Sequence, residues 1–234
     1  MRVLSWLKNN LTKANEVAHA SYKDSDSYSY HHTIDMVDTW LEQETEVDEK
    51  VLLLDSVMKA IRKDLQYDTL TTILYSKEHF DKRLPLLLLP YSYYDNEGIE
   101  YATNSNEERN YEVSLATECV IVLPWERRRL KNSIKHIAKV EFEFDENNHF
   151  STYFSALEIC YVDNGLHSTT AGIIHEKGAI MAEYVDIEAL FPHIVTDGEK
   201  WINVHTETPY ELEVHDFRFA ILYTLAQKKY YLNS

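Results

Sequence analysis

The residues best suited to chemistry lie in one stretch, ICYVDNGLHSTTAGIIHEKG at 159–178. An apolar run ends at Asn164-Gly165, and helical spacing resumes at Ser168, which opens a run of hydroxyls with Thr169 and Thr170. A strand, a glycine turn and the first turn of a helix together form a cradle for anions, because unpaired backbone N–H groups and the positive end of the helix dipole meet there. Asn164, Gly165, His167, Ser168, Thr169 and Thr170 would line such a phosphate or nucleotide cradle. His167 titrates in the range that suits general acid–base work and is the candidate catalytic residue. The same residues also have a purely structural reading. Gly165 permits a positive φ, Ser168 or a neighbour caps the helix, and His167 packs beneath the turn. Both readings stay open at this level.

A second concentration is PWERRRLKNSIKHIAK at 124–139. Its helical spacing turns Leu130, Ile134 and Ile137 inward and leaves Arg127, Arg128, Arg129, Lys131, Lys135 and Lys139 on the other face. Arg128 and Arg129 are the auxiliary cations that could reach an anion at the glycine turn, and a solvated helix face facing acidic helices is the alternative. No metal site is expected. The spacings H-x-x-x-H, C-x-x-C and H-E-x-x-H are absent from the chain, and the adjacent His31 and His32 cannot share a helix face. Asp163, Asp186 and Asp197 stand near turns, where capping and solvation explain them better than a divalent ion. Neither a G-x-S-x-G elbow nor a Walker or dinucleotide fingerprint occurs.

The elements that must position these groups can be read in chain order. The 234 residues carry a net charge of −16, with 44% hydrophobic and 26% charged residues. That composition suits an ordinary globular domain and disfavours non-specific nucleic-acid binding, since phosphates would be repelled. Cys119 and Cys160 sit in apolar strand-like runs and are expected to be reduced and buried. The start of the chain shows no secretory h-region, and no apolar run is long enough to span a bilayer, so the expected location is the cytoplasm, without a membrane partner. The 17 tyrosines are expected on half-buried faces.

Residues 1–83 read as helical and acidic: a short amphipathic start at Leu4, Leu7 and Leu11, a polar loop at 21–30, a helix from Thr33 through Leu41, a second at 47–65, and a third at 68–80 capped by Asp68. Residues 85–94 look strand-like, 95–110 a surface loop, 111–123 a strand or strand pair, and 140–144 (VEFEF) an alternating strand. Strands are also expected within 150–163, at 179–185 and at 201–204, with a short helical turn at 187–191, a turn at 196–198 and a closing helix at 214–231. Helices first and mixed strands afterwards give an α+β fold: an N-terminal helical region, 1–83, packed on a small mixed β-sheet domain, 84–234.

The pieces around the glycine turn resemble the ParB/sulfiredoxin-like fold. Pro124-Trp125, Arg129-Leu130 and Ser133-Ile134 resemble that group's P-x-x-x-R-L-x-x-S-I helix, and 162–168 (VDNGLHS) resembles its V-D-G-x-H-R turn. Ala171 falls where the group's helix carries a small residue, and Gly178-Ala179-Ile180 fits the following strand start. The chain is also similar to an uncharacterised bacterial group with an N-G-x-H-S turn. The likeness covers roughly residues 111–190. It implies recognition of a nucleotide or phosphate ester in a bacterial or phage-borne protein of DNA-related or defence processes; the cofactor stays open, a nucleotide with Mg²⁺ being one candidate. Ser168 replaces the group's phosphate-binding arginine, and Leu166 stands where sulfiredoxin has its cysteine, which excludes cysteine-based reductase chemistry. The hydroxyls of Thr169 and Thr170 would partly replace the lost donor. The alternative is a non-enzymatic acidic module that contacts a protein partner or mimics nucleic acid. Whether the protein is an enzyme is not decided by its sequence.

Overall fold

The computed structural model describes residues 26–76, 88–103 and 105–233. The amphipathic start expected at Leu4–Leu11, the end of the helix expected at 68–80 and the first three residues of the strand-like run at 85–94 lie outside the described residues. The fold is α+β. Among the described residues, helices α1 (Asp26–Gln43) and α2 (Val47–Tyr75) come first. A hairpin follows, β1 (Ser92–Tyr94) and β2 (Glu100–Ala102). Then come β3 (Ser105–Ser114), β4 (Cys119–Ile121), α3 (Arg127–Ile137), β5 (Ser151–Phe154), β6 (Ile159–Val162), α4 (Leu166–Ile174) and β7 (Ala179–Val185). Strands β8 (Ile194–Thr196), β9 (Lys200–Asn203) and β10 (Pro209–Glu213) precede α5 (Phe217–Asn233).

The central sheet has the order β3-β7-β5-β6-β4. Its β3/β7 and β5/β6 pairs are antiparallel, and its β5/β7 and β4/β6 pairs are parallel. The alternation of side chains along a strand divides the interior in two. On one face Cys119, Ile121, Ile159 and Tyr161 join a core with Val37, Leu54, Leu65, Trp201, Leu222 and Leu225, supplied by α1, α2, β9 and α5. On the other face Val120, Val122, Cys160 and Val162 meet Ile137, Phe142 and Ala171, beneath α3 and α4. A sheet covered on both faces explains why β6 is buried at every position, and why both cysteines are buried free thiols. Burial pushes each thiol up to about 12. No helix among the described residues is long and apolar enough to cross a membrane.

Several expected boundaries shift, each for a tertiary reason. Asp26–Tyr30 belongs to α1 rather than to a polar loop. Tyr30 is buried, and its hydroxyl donates to the Thr196 carbonyl at 2.9 Å. A side chain at Gly198 would collide with the Tyr30 ring, 2.7 Å away, which is why glycine closes the β8–β9 turn. The helices expected at 47–65 and 68–80 merge into one continuous α2, so Asp68 is not an N-cap. Its carboxylate instead accepts from Arg218 at 2.8 Å. The buried stripe continues through Leu70 and Ile73, which holds the helix together across the expected break. The loop expected at 95–110 contains β2 and the start of β3. Asp95 Oδ1 accepts the N–H groups of Glu97 and Ile99, both at 2.9 Å, and this closes the hairpin. VEFEF at 140–144 is not a strand. Phe142 is drawn into the second core against Gly178, and the segment has no ladder partner among the described residues.

Candidate functional site

The glycine turn is built by β6 ending at Val162 and α4 beginning at Leu166, two residues earlier than the spacing of the hydroxyls predicts. Gly165 is the N-cap in a left-handed conformation, φ 76°, and the cap position makes no side-chain hydrogen bond to the helix. An alanine Cβ there would collide with His149 Cδ2. The α4 start faces α3 across a cleft of about 330 Å³. Trp125, Arg129, Asn132 and Ser133 form one wall, and Asn148, Asn164, Gly165, Leu166, His167 and Ser168 form the other.

His167 is buried at the floor of this cleft, and its Nε2 accepts the Glu126 backbone N–H at 3.1 Å. In the neutral ring the proton therefore sits on Nδ1. Trp125 meets the imidazole edge-on, with centroids 5.4 Å apart, and the Arg129 guanidinium carbon lies 5.1 Å from the Trp125 ring centroid. Arg129 also pairs with Glu126 at 3.2 Å. Water reaches both side chains, Arg129 more than Glu126, so that ion pair is weak and exchangeable.

Ser168 is committed locally. The Asp145 N–H donates to His149 Nδ1 at 2.9 Å, which places the His149 proton on Nε2. Nε2–H then donates to Ser168 Oγ at 2.8 Å, and the Ser168 hydroxyl donates to the Gly165 carbonyl at 2.9 Å. A serine nucleophile needs an imidazole that accepts its proton. Here the facing nitrogen donates and the hydroxyl proton is held by a carbonyl, so the pair serves to fix the turn.

The residues expected in the cradle therefore separate. Asn164, Gly165, His167, Ser168 and Arg129 line one cleft. Thr169 and Thr170 are fully buried within α4, and Thr170 Oγ1 donates to the Leu166 carbonyl at 2.7 Å. Arg128 is exposed to solvent and is not part of the lining. Arg127 turns the other way. It donates to the carbonyls of Ile73, at 2.9 Å, and Ser76, binding α3 to the C-terminal end of α2. Cations are favourable at that end of a helix. His149, Asn132 and Asn148 join the site without having been singled out by the sequence. For His149 the available signal is its place in DENNH at 145–149, where a ring nitrogen can accept from the backbone four residues back. Among the described residues no group of three His, Cys, Asp or Glu side chains could hold a metal ion.

A family model matches residues 8–234, nearly the whole chain. The chain belongs to DUF6710, a family of unknown function. No curated protein and no solved structure matches it. What this DUF6710 member can do chemically follows from its own geometry.

Burial lowers the pKa of His149, and burial followed by the nearby Arg129 charge lowers that of His167. His193, whose Nδ1 lies 2.9 Å from His205 Nε2, is lowered by burial and then by the His205 charge. The unfolded chain binds protons at these sites first, at pH near the ordinary value of about 6.5. The stability they contribute is present above that pH and is lost as pH falls through the depressed folded values. The expected result is a melting temperature that falls on acidification from roughly pH 6.5 to 5. His149→Gln should flatten that slope, as thermal melts across a pH series would show. An equal slope in wild type and variant would remove His149 from the effect.

Proposed function

We propose that the cleft between α3 and α4 binds a small phosphate ester, with a mononucleotide as the ligand class. The observation that carries this reading is the convergence of Arg129 and the uncapped start of α4 on one cleft with an aromatic wall. Backbone N–H groups and the helix dipole favour a phosphate there. Arg129 would exchange its solvated Glu126 partner for phosphate oxygens, which form stronger, charge-assisted hydrogen bonds. Trp125 offers a ring to a base or sugar, and Asn132, Asn148 and Asn164 offer amides to its polar edges. His167 holds Glu126, and hence the start of α3, in place beside the ligand. No carboxylate is part of the lining, so the site would recognise the ester itself rather than a protein-held Mg²⁺.

In the ParB/sulfiredoxin-like group the phosphate arginine follows the histidine of the turn; in this chain α3 would supply it instead. A cytoplasmic role in DNA-related or defence processes is compatible with such a ligand. The test is a thermal-shift series with AMP, ATP and inorganic phosphate, with and without Mg²⁺. At 100 times its dissociation constant a ligand should stabilise by about 2.7 kcal/mol. Arg129→Ala, at a solvated position, should keep the fold and lose the shift. An equal shift in Arg129→Ala, or none in wild type with any of the three, overturns the proposal.

A further inference from the structure

A larger cavity lies elsewhere, where α2 meets the segments before β4 and β6 and the central sheet, with a volume of about 570 Å³. That is within the range of small-molecule sites, roughly 300–1,000 Å³. Its roof is one face of α2. Lys59, Arg62, Lys63 and Gln66 follow the spacing that brings residues to the same side of a helix. Its floor is aromatic, on the sheet face of Cys160 and Ala182 rather than the face that α2 covers. Tyr111, Tyr153 and Tyr184 come from β3, β5 and β7, three adjacent strands. Tyr153 and Tyr184 are direct cross-strand partners, and Tyr111 pairs with Ala182, two residues from Tyr184 and so on the same face. The Tyr111 and Tyr153 rings stack with centroids 4.1 Å apart and planes 20° apart.

The charges in the cavity are not equally available. Arg62 is buried and already used: it pairs with Glu158 at 2.7 Å and donates to the Leu157 carbonyl at 3.2 Å. Glu118 accepts the Ser114 N–H and a Tyr111 phenol hydrogen bond. Lys59 and Lys63 are different. They are exposed, one helical turn apart, and have no acidic partner among the described residues. In a chain with 39 acidic and 23 basic residues, the lysines of α5 are matched, Lys228 with Asp38 and Lys229 with Asp55. Two unmatched lysines at the rim of an aromatic-floored cavity are a place for an anion that has a ring attached.

We propose that this cavity is a second ligand site, separate from the α3–α4 cleft, and that it takes an aromatic anion: a planar ring over the tyrosine floor with a phosphate or carboxylate between Lys59 and Lys63. The net charge of −16 repels anions at long range, so a bare inorganic ion gains too little here. Ring contact supplies the rest through apolar burial and offset stacking. The walls are preformed, because α2 is held by buried Met58 and Leu65 and the tyrosines are fixed by strand pairing. Little ordering is needed on binding.

Calorimetric titration with phenyl phosphate, benzoate and inorganic phosphate tests this on the full chain. Phenyl phosphate should bind, and inorganic phosphate should bind at least about tenfold more weakly at this site. On an Arg129→Ala background, in which the α3–α4 cleft cannot hold the phosphate ester, Lys59→Ala/Lys63→Ala, at exposed positions, should weaken phenyl phosphate by about tenfold or more and leave the fold unchanged, as circular dichroism would confirm. Tyr111→Leu should weaken it similarly without altering the salt dependence. Arg129→Ala should abolish any phenyl phosphate binding at the α3–α4 cleft and leave binding at this cavity, which separates the two sites. Undiminished affinity in the double lysine variant on that background, complete loss of phenyl phosphate binding in Arg129→Ala alone, or failure of both aromatic anions to bind wild type overturns the proposal.

Discussion

Replacing Gly165 with alanine should destabilise the protein by about 2–5 kcal/mol, the sum of roughly 1–2 kcal/mol for an L-residue in the left-handed region and 1–3 kcal/mol for displaced hydrogen bonds. The backbone there sits at φ 76°, and the new methyl group would collide with His149 Cδ2 and stand 3.1 Å from the Asn148 carbonyl oxygen. His149 cannot withdraw without breaking its bonds to the Asp145 N–H and Ser168 Oγ. For a chain of this size the melting temperature should fall on the order of 10 °C. The collision also predicts coupling between the two positions. His149→Ala removes the obstructing ring, so the double variant should be less destabilised than the sum of the two single changes. Additive effects in chemical denaturation would show that the collision is relieved in another way and that only the φ penalty operates.

A comparably large loss is expected from Trp201→Ala, about 3–5 kcal/mol. Trp201 is fully buried in the core shared by α1, α2 and α5, and it meets Tyr223 edge-to-face at 5.1 Å. Its Nε1 proton has no hydrogen-bond partner among the described residues. An unpaired buried donor costs about 1–3 kcal/mol, so part of the benefit of the ring is already offset. Trp201→Phe keeps most of the aromatic volume and removes the unpaired donor. It should therefore be much milder than Trp201→Ala, and equilibrium unfolding of the two variants measures the difference. Similar losses for both would mean that the indole's shape, rather than its bulk, holds β9 against α5.

What can be read in the chain depends on how far each signal reaches. Long periodic segments are legible: α1, α3, β7 and α5 each carry their own pattern of apolar positions, and helices followed by mixed strands mean α+β. The glycine turn is legible because Asn164-Gly165 interrupts a strand, and Gly165 does adopt the positive φ that only glycine tolerates well. Boundaries set by distant partners are not. Asp26–Tyr30 is helical because Tyr30 docks on the far β8–β9 turn, and β3 extends back to Ser105 because β7 offers it a ladder. VEFEF has the alternation of a strand without a neighbour to pair with among the described residues. At the site, residue types single out the turn, but only the folded chain shows that Ser168 is engaged by His149, that Arg127 serves α2, and that Arg129 alone of the three arginines lines the cleft. The tyrosine-floored cavity is invisible in the sequence for the same reason, since its walls come from α2 and from three strands dispersed along the chain.

The placement of α5 has a consequence for how the protein comes into being. Among the described elements α1 and α2 are made before every strand, yet the face they bury is completed by α5, which is made after those strands. β3 must likewise wait for β7 before its edge is paired. With synthesis at roughly 5–20 residues per second, the apolar stripe of α2 stays uncovered for on the order of ten seconds while the remaining chain emerges. The nascent helices are then the most exposed substrate for chaperones and for wrong partners. Their heavy acidic charge keeps such half-made chains apart until the last helix closes the core.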